Sequence, residues 1–180
     1  MKQNKLISIL VLFIIITLTA GEIKDNEEKK LASEFPGARL EFSDFIIPSE
    51  IRNKIELSVK QRFFMKSVYV WKIYQGEELK AISIIDNVLG KTLPITFRVT
   101  FDKTGEIINS KIVKYRETIG GGVGNDSWNN QFVGKNSKSS YKVGEDIDGI
   151  SGATISVNSV TKGIQKLSML AEYLLYEENN

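Results

Sequence analysis

The spacing of apolar residues predicts two short helices followed by a set of strands. The first helix spans Glu27–Phe35 and ends before Pro36-Gly37, and the second opens at Pro48 and runs to about Lys60. Alternating apolar residues then predict four strands. These strands cover Ser67–Tyr74, Leu79–Ile85, Ile95–Phe101 and Glu106–Tyr115. Short polar turns separate them in hairpin order, so we expect an antiparallel sheet.

The C-terminal part of the chain has a helical period. Apolar residues recur on one face of a helix that begins after Thr154 and reaches about Tyr176. They are Val157, Val160, Ile164, Leu167, Ala171 and Leu174. We expect this face to pack on the sheet. The predicted fold class is α+β, an antiparallel sheet packed by a long C-terminal helix, with N-terminal helices.

Residues 1–21 are predicted to be a signal peptide or a membrane anchor. Met1 to Lys5 is basic, Leu6–Ala20 is apolar, and the first acidic residue is Glu22. This asymmetry favours an N-terminus that stays in the cytoplasm and export of the remainder of the chain. The apolar run is short for a spanning helix, which needs about 20 residues, so cleavage and retention both stay open. We expect residues 22–180 to be one extracytoplasmic domain, periplasmic or at the cell surface, secreted or anchored in the cytoplasmic membrane.

Composition narrows the chemistry. The chain has no His and no Cys, which excludes Ser-His-Asp and Cys-His catalysis, thiolate zinc sites, iron–sulfur clusters and haem held by either residue. Redox activity therefore needs an organic cofactor, and no metal site is predicted. Without Lys2 and Lys5, the 24 − 2 = 22 remaining basic residues balance the 22 acidic ones. No basic stripe stands out, so we expect no nucleic-acid partner.

A short stretch before the C-terminal helix carries candidate chemistry. Asp148 is followed by Ser151-Gly152-Ala153-Thr154, which places a hydroxyl where the helix is expected to begin. The unpaired N–H groups and the positive dipole end of a helix N-terminus attract an anion. Thr154 is therefore a candidate attachment point for a phosphate-bearing group. The alternative is that Thr154 or Ser156 only caps the helix.

A glycine run, Gly120-Gly121-Gly122-Val123-Gly124, is the second candidate feature. It lacks the Lys-Ser/Thr of a Walker A loop, and Asn125 breaks the G-x-G-x-x-G pattern, so nucleoside triphosphate binding is not expected. The run is either a flexible loop or a place where the backbone approaches a flat ligand.

The string from Asp148 to Thr154 resembles the flavinylation motif D-x-x-S-G-A-T of the FMN-binding domain family. That domain occurs in the C subunit of sodium-pumping NADH:quinone reductase and the G subunit of the Rnf electron-transport complex. Upstream, Tyr115–Gly124 resembles the family's H-x-E-T-P-G-L-G segment, and Trp128 with Gln131–Lys135 resembles its W…F-x-G-K. The segment departs from the family pattern at three positions: this chain has Tyr115 where the family has histidine, Ile119 where it has proline, and Gly121 where it has leucine. The similarity runs from about Phe35 to Tyr173.

This resemblance implies that Thr154 carries FMN through a phosphoester, installed by a flavin transferase that uses FAD and magnesium. It places Ser151, Gly152 and Ala153 in the cofactor-binding site and Asp148 in the sequence that the transferase reads. It also implies that Glu117, Thr118 and Gly120 lie near the flavin.

We therefore expect a covalent flavoprotein electron carrier rather than a stand-alone enzyme. Its expected partners are the flavin transferase and a membrane redox donor or acceptor protein. Two alternatives stay open. One is an extracytoplasmic flavin-dependent reductase of a small molecule, with Gly120–Gly134 as a substrate wall. The other is a flavin-free binding module on the same fold, which the intact Thr154 motif disfavours.

Overall fold

The computed structural model describes residues 21–178. The predicted targeting segment, residues 1–21, lies outside this range except for Gly21. The elements occur in the order α1 (21–34), β1 (Arg39–Ile46), α2 (Ser49–Val59), β2 (Ser67–Gln75), β3 (Glu78–Leu89), β4 (Pro94–Asp102), β5 (Ile107–Lys114), α3 (Asp126–Asn129) and α4 (Thr154–Glu178). Two 3-10 turns, Gly121–Gly124 and Asn130–Phe132, flank α3. No helix in this range is long and apolar enough to cross a membrane.

The five strands form one sheet in the order β1-β2-β3-β4-β5, and each neighbouring pair is antiparallel. The predicted α+β class, with its long C-terminal helix and a helix before the sheet, is confirmed. The predicted count of four strands is wrong because β1 was missed. The alternation of polar and apolar residues breaks between Phe42 and Phe45, because Phe42 packs on one face of the sheet and Phe45 packs on the other. The strand also carries exposed charges, which an edge strand tolerates.

The observed boundaries of β3 and of the first helix also differ from the predicted ones. β3 continues to Leu89 instead of ending at Ile85, because the polar Asp86 and Asn87 have partners inside the fold. The Asp86 carboxylate pairs with Lys166 at 3.0 Å, and Asn87 Oδ1 accepts a hydrogen bond from Thr96 Oγ1 at 2.6 Å. The first helix was predicted to begin at Glu27, but the helix already includes Gly21.

Helices cover both faces of the sheet. On one face, α4 packs over β3 and β4, and α2 packs against α4. The predicted apolar face of α4 is confirmed, since all six of its residues are buried. At Gly163 the helix comes so close to the sheet that an added Cβ would lie 2.7 Å from both Phe97 Cζ and Val88 Cγ1.

On the opposite face, α1 is held by a small apolar cluster and by a buried ion pair. Leu31 packs among Trp71, Ile73, Ala81 and Ile85. The Arg98 guanidinium, fully buried in β4, lies 3.1 Å from the Glu27 carboxylate and also pairs with Glu34. The sheet is therefore enclosed between helical layers, and the candidate chemistry lies at one of its ends.

Candidate functional site

The chain enters α4 through a tight turn. The Ala153 amide donates to the Ile150 carbonyl at 3.0 Å, and Gly152 has φ = +75° at the third position of this turn. That combination is typical of a type II turn, where glycine avoids the strain of a positive φ. The Ala153 carbonyl then accepts the Val157 amide at 2.9 Å, so the helix begins at Thr154. The Ser-Gly-Ala sequence thus sets the position of Thr154.

The capping alternative does not describe this helix. The capping position is held by Ala153, whose side chain cannot accept a hydrogen bond from the first turn. Ser156 is buried and its hydroxyl pairs with the Tyr115 hydroxyl at 3.0 Å. Thr154 is exposed, and no hydrogen bond from residues 21–178 engages its hydroxyl. That hydroxyl is therefore accessible to a modifying reagent.

Thr154 lines a cleft of about 460 Å³. The cleft lies among three segments: the loop between β3 and β4, the segment after β5, and the first turn of α4. Its lining residues are Lys91, Thr92, Glu117, Thr118, Ile119, Gly152, Ala153, Thr154, Ile155 and Ser156. This volume is within the range of small-molecule sites, about 300–1,000 Å³.

The structure brings most of the predicted site residues together. Of the eight residues named from the sequence, Glu117, Thr118, Gly152, Ala153 and Thr154 line the cleft. The three others, Ser151, Gly120 and Asp148, do not line it. Ser151 and Asp148 are exposed in the turn that leads to α4.

Asp148 has a fixed backbone and an exposed side chain. Its amide donates to Gln131 Oε1 at 2.7 Å, and its carbonyl accepts Trp128 Nε1 at 2.9 Å. The side chains of the W…F-x-G-K segment therefore hold the backbone that precedes Thr154. The Asp148 carboxylate is left at the surface, where another macromolecule can reach it.

Glu117 lines the cleft, but its carboxylate is occupied by the neighbouring loop. It accepts the Thr92 and Leu93 amides at 2.6 and 2.9 Å and the Thr92 hydroxyl at 3.0 Å. These donors, the Leu93 and Thr92 amides first, lower the pKa of Glu117. A Cβ at Gly90 would lie 2.7 Å from Glu117 Oε1, so a larger residue there would have to displace this carboxylate. Glu117 fixes the β3–β4 loop that forms one side of the cleft.

The glycine run is packed against the protein itself. Gly120 has φ = +88°, and a Cβ there would lie 2.8 Å from Tyr115 Oη and 3.1 Å from Ser156 Oγ. The run continues into a 3-10 turn whose Val123 carbonyl accepts Asn129 Nδ2 at 2.7 Å. The glycine run therefore forms a hydrogen-bonded segment that abuts the start of α4.

Residues 90–168 match the family model described as the FMN-binding domain. This segment belongs to the FMN-binding domain family. The matched region begins at Gly90, before the cleft's first lining residue, and ends at Ser168 within α4. A search of curated proteins found no match for the chain. The predicted family and the predicted cofactor, FMN, are confirmed.

The residues at the cleft suit FMN chemically. The amides of the first turn of α4 could bind a phosphate group, because the Ala153 side chain cannot accept their hydrogen bonds. Lys91, which lines the same cleft, would add a positive charge. The aromatic ring system would find Ile119 and Ile155, which are 75% and 50% exposed. The FMN-binding domain thus combines cationic, polar and apolar surface at one site.

Sequence reasoning missed Lys91, Thr92, Ile119 and Ile155 as members of this lining. Lys91 and Thr92 lie between two predicted strands, at Gly90-Lys91-Thr92. Hairpin order alone would have placed that turn at the same end of the sheet as the segment after β5. The register of β3, β4 and β5 then brings both to the start of α4.

Proposed function

We propose that this protein is an extracytoplasmic electron carrier with FMN attached covalently to Thr154 through a phosphoester. The observation that carries the proposal is the Thr154 hydroxyl, which is exposed on the first turn of α4 at the edge of the cleft. The family match to residues 90–168 supplies the identity of the cofactor.

Attachment requires only the hydroxyl of Thr154 and a flavin transferase that presents FAD with magnesium. A bond forms between Thr154 Oγ1 and the phosphorus on the FMN side of FAD. The pyrophosphate P–O bond breaks, AMP leaves, and the hydroxyl loses its proton. In this proposal the exposed Asp148 carboxylate belongs to the surface that the transferase recognises, and the amides of the first turn stabilise the anionic ester.

Surface composition supports the role of electron carrier. Bound FMN supplies one-electron and two-electron redox chemistry. Large apolar side chains are exposed on the segments that form the cleft: Leu89, Leu93, Ile119 and Ile155. Exposed apolar residues clustered at a site are typical of surfaces that bind partners. The proposed partner is a redox protein in the membrane, which would approach the flavin at this end of the sheet.

Export is proposed from the N-terminal sequence. The basic residues before Leu6 and the acidic residues from Glu22 onward favour transfer of the domain across the cytoplasmic membrane. A covalent tether suits that location, because a dissociated cofactor would be lost there.

Intact-mass spectrometry of the denatured protein tests attachment and processing together. After production with a flavin transferase, the mass should rise by one FMN less one water, and the added mass should map to the peptide containing Ser151 to Lys162. Production without the transferase should give no added mass. An unmodified protein, from cells in which the same transferase modifies a reference substrate, would contradict the proposal.

A further inference from the structure

Two tyrosine–serine pairs attach α4 to the rest of the domain. Near the cleft, the Tyr115 hydroxyl lies 2.5 Å from the Ile119 carbonyl and 3.0 Å from Ser156 Oγ. Towards the other end of the helix, the Tyr141 hydroxyl lies 2.8 Å from Ser168 Oγ and also donates to a backbone carbonyl, at 3.1 Å. The serines are twelve residues apart, which separates them by about 18 Å along the helix.

The direction of the hydrogen bonds at the first pair is set by its partners. A carbonyl oxygen only accepts, so the single Tyr115 hydroxyl proton points to Ile119. Ser156 must then donate its own proton to Tyr115 Oη. The pair therefore links the first turn of α4 to the segment 117–120, and Gly120 leaves the space that this link occupies.

Ser156 and Thr154 lie on nearly opposite sides of the helix, because two residues correspond to about 200° of rotation. Ser156 is buried and Thr154 is exposed, as this geometry requires. The first turn of a helix has the fewest backbone hydrogen bonds, and Ala153 gives it no side-chain cap. A bond to Ser156 on the buried side thus sets the direction in which Thr154 projects on the other side.

We propose that Tyr115 and Ser156 are positioning residues that orient the flavin carried by Thr154. This inference rests on the proposed function, since it concerns the group attached to Thr154. The pair holds the first turn of α4 at one rotation relative to Ile119, which lines the same cleft. The ring system of the attached flavin is then confined to one arrangement against the cleft.

The test compares Tyr115→Phe and Ser156→Ala with the matched control Tyr141→Phe. Both tyrosine substitutions remove one hydroxyl that bonds a serine of α4 and a backbone carbonyl, but only Tyr115 bonds residues that line the cleft, Ile119 and Ser156. Each protein is produced with the flavin transferase, and its FMN content is measured by intact mass. Visible circular dichroism and flavin fluorescence anisotropy are then recorded per attached FMN.

Tyr115→Phe and Ser156→Ala should keep covalent FMN but lose most of the visible circular dichroism and show lower anisotropy. Tyr141→Phe should match the wild type in both signals. Wild-type signals in Tyr115→Phe and Ser156→Ala, or equal losses in Tyr141→Phe, would overturn the inference. If Tyr115→Phe does not fold, Ser156→Ala removes the other partner of the same hydrogen bond, and its circular dichroism and anisotropy then test the inference. A wild-type protein without added FMN mass would instead contradict the proposed function, and this inference with it.

Discussion

At the scale of single residues, Glu117 shows that a buried network is not required for a charge to shape the site, because the carboxylate fixes a loop of the cleft directly. Its carboxylate lies at a cleft proposed to hold an anionic ester, yet it is engaged by two amides and a hydroxyl of the β3–β4 loop. These donors lower the pKa of Glu117, the Leu93 amide contributing most. The charge therefore stabilises the loop that carries Lys91.

Glu117→Gln should reduce the thermal stability of the protein at neutral pH, because an amide is a weaker acceptor for the Thr92 and Leu93 amides. A lowered pKa in the folded state means that the stabilisation is fully present above the carboxyl's ordinary pKa of about 4.3 and is lost as the pH falls through the lowered value. Melting temperatures measured across an acid series should thus converge for wild type and variant as the pH falls. A constant difference at all pH values would show that the charge of Glu117 contributes nothing to the loop.

Sequence reasoning succeeded at residue scale where the relevant signal is local. Asp148 to Thr154 are contiguous, and their resemblance to a family motif identifies the family. The bond between Tyr115 and Ser156 joins residues 41 positions apart, and it exists only because β5 ends beside the start of α4. The pattern of apolar residues carries no information about such a bond.

At the scale of elements, α4 is the best-predicted part of the fold, and β1 was not predicted at all. The six-residue apolar face of α4 repeats with a clear helical period, and burial of that face enforces it. β1 is an edge strand with a neighbour on one side only, so its apolar residues need not alternate strictly. Periodicity therefore predicted α4, whose apolar face is fully buried, and missed β1, whose apolar residues Leu40, Phe42 and Phe45 are only half-buried.

Gly163→Ala tests how closely α4 approaches the sheet. Alanine favours a helix over glycine by about 1 kcal/mol, but its Cβ would lie 2.7 Å from buried side chains of β3 and β4. Overpacking of a core costs about 1–3 kcal/mol, so we expect a net decrease in the free energy of unfolding in urea. The exposed neighbour gives the control: Lys162→Ala should change stability by less than about 0.5 kcal/mol. A stabilised Gly163→Ala protein would contradict the close approach.

At the scale of the whole molecule, the fold places the site at one end of a sheet that helices cover on both faces. The cleft is formed by a loop between strands, a segment after the last strand and the first turn of α4. The residues around it are partly apolar and exposed, which suits contact with another protein.

An electron carrier and a small-molecule reductase differ in their kinetics. The flavin-loaded protein, reduced chemically and mixed with a soluble electron acceptor, should be reoxidised at a rate that rises linearly with acceptor concentration, because a carrier reacts by collision at an exposed site. Stopped-flow absorbance of the flavin measures this rate. Saturation at low acceptor concentration would indicate a substrate-binding step and favour the reductase.

The mass of denatured Thr154→Val tests most directly whether Thr154 is the residue that carries FMN. Valine keeps the β-branched shape of threonine and removes the hydroxyl. Because Thr154 is exposed and its hydroxyl has no hydrogen bond within residues 21–178, stability should change by less than about 0.5 kcal/mol.

Wild type, Thr154→Ser and Thr154→Val are each produced with the flavin transferase, denatured and weighed by mass spectrometry. The wild type should carry one FMN less one water, and Thr154→Ser, which keeps a hydroxyl, should retain a measurable fraction of that mass. Thr154→Val should be folded and carry none. Retention of FMN by denatured Thr154→Val would place the attachment at another residue and show that Thr154 is not the FMN acceptor.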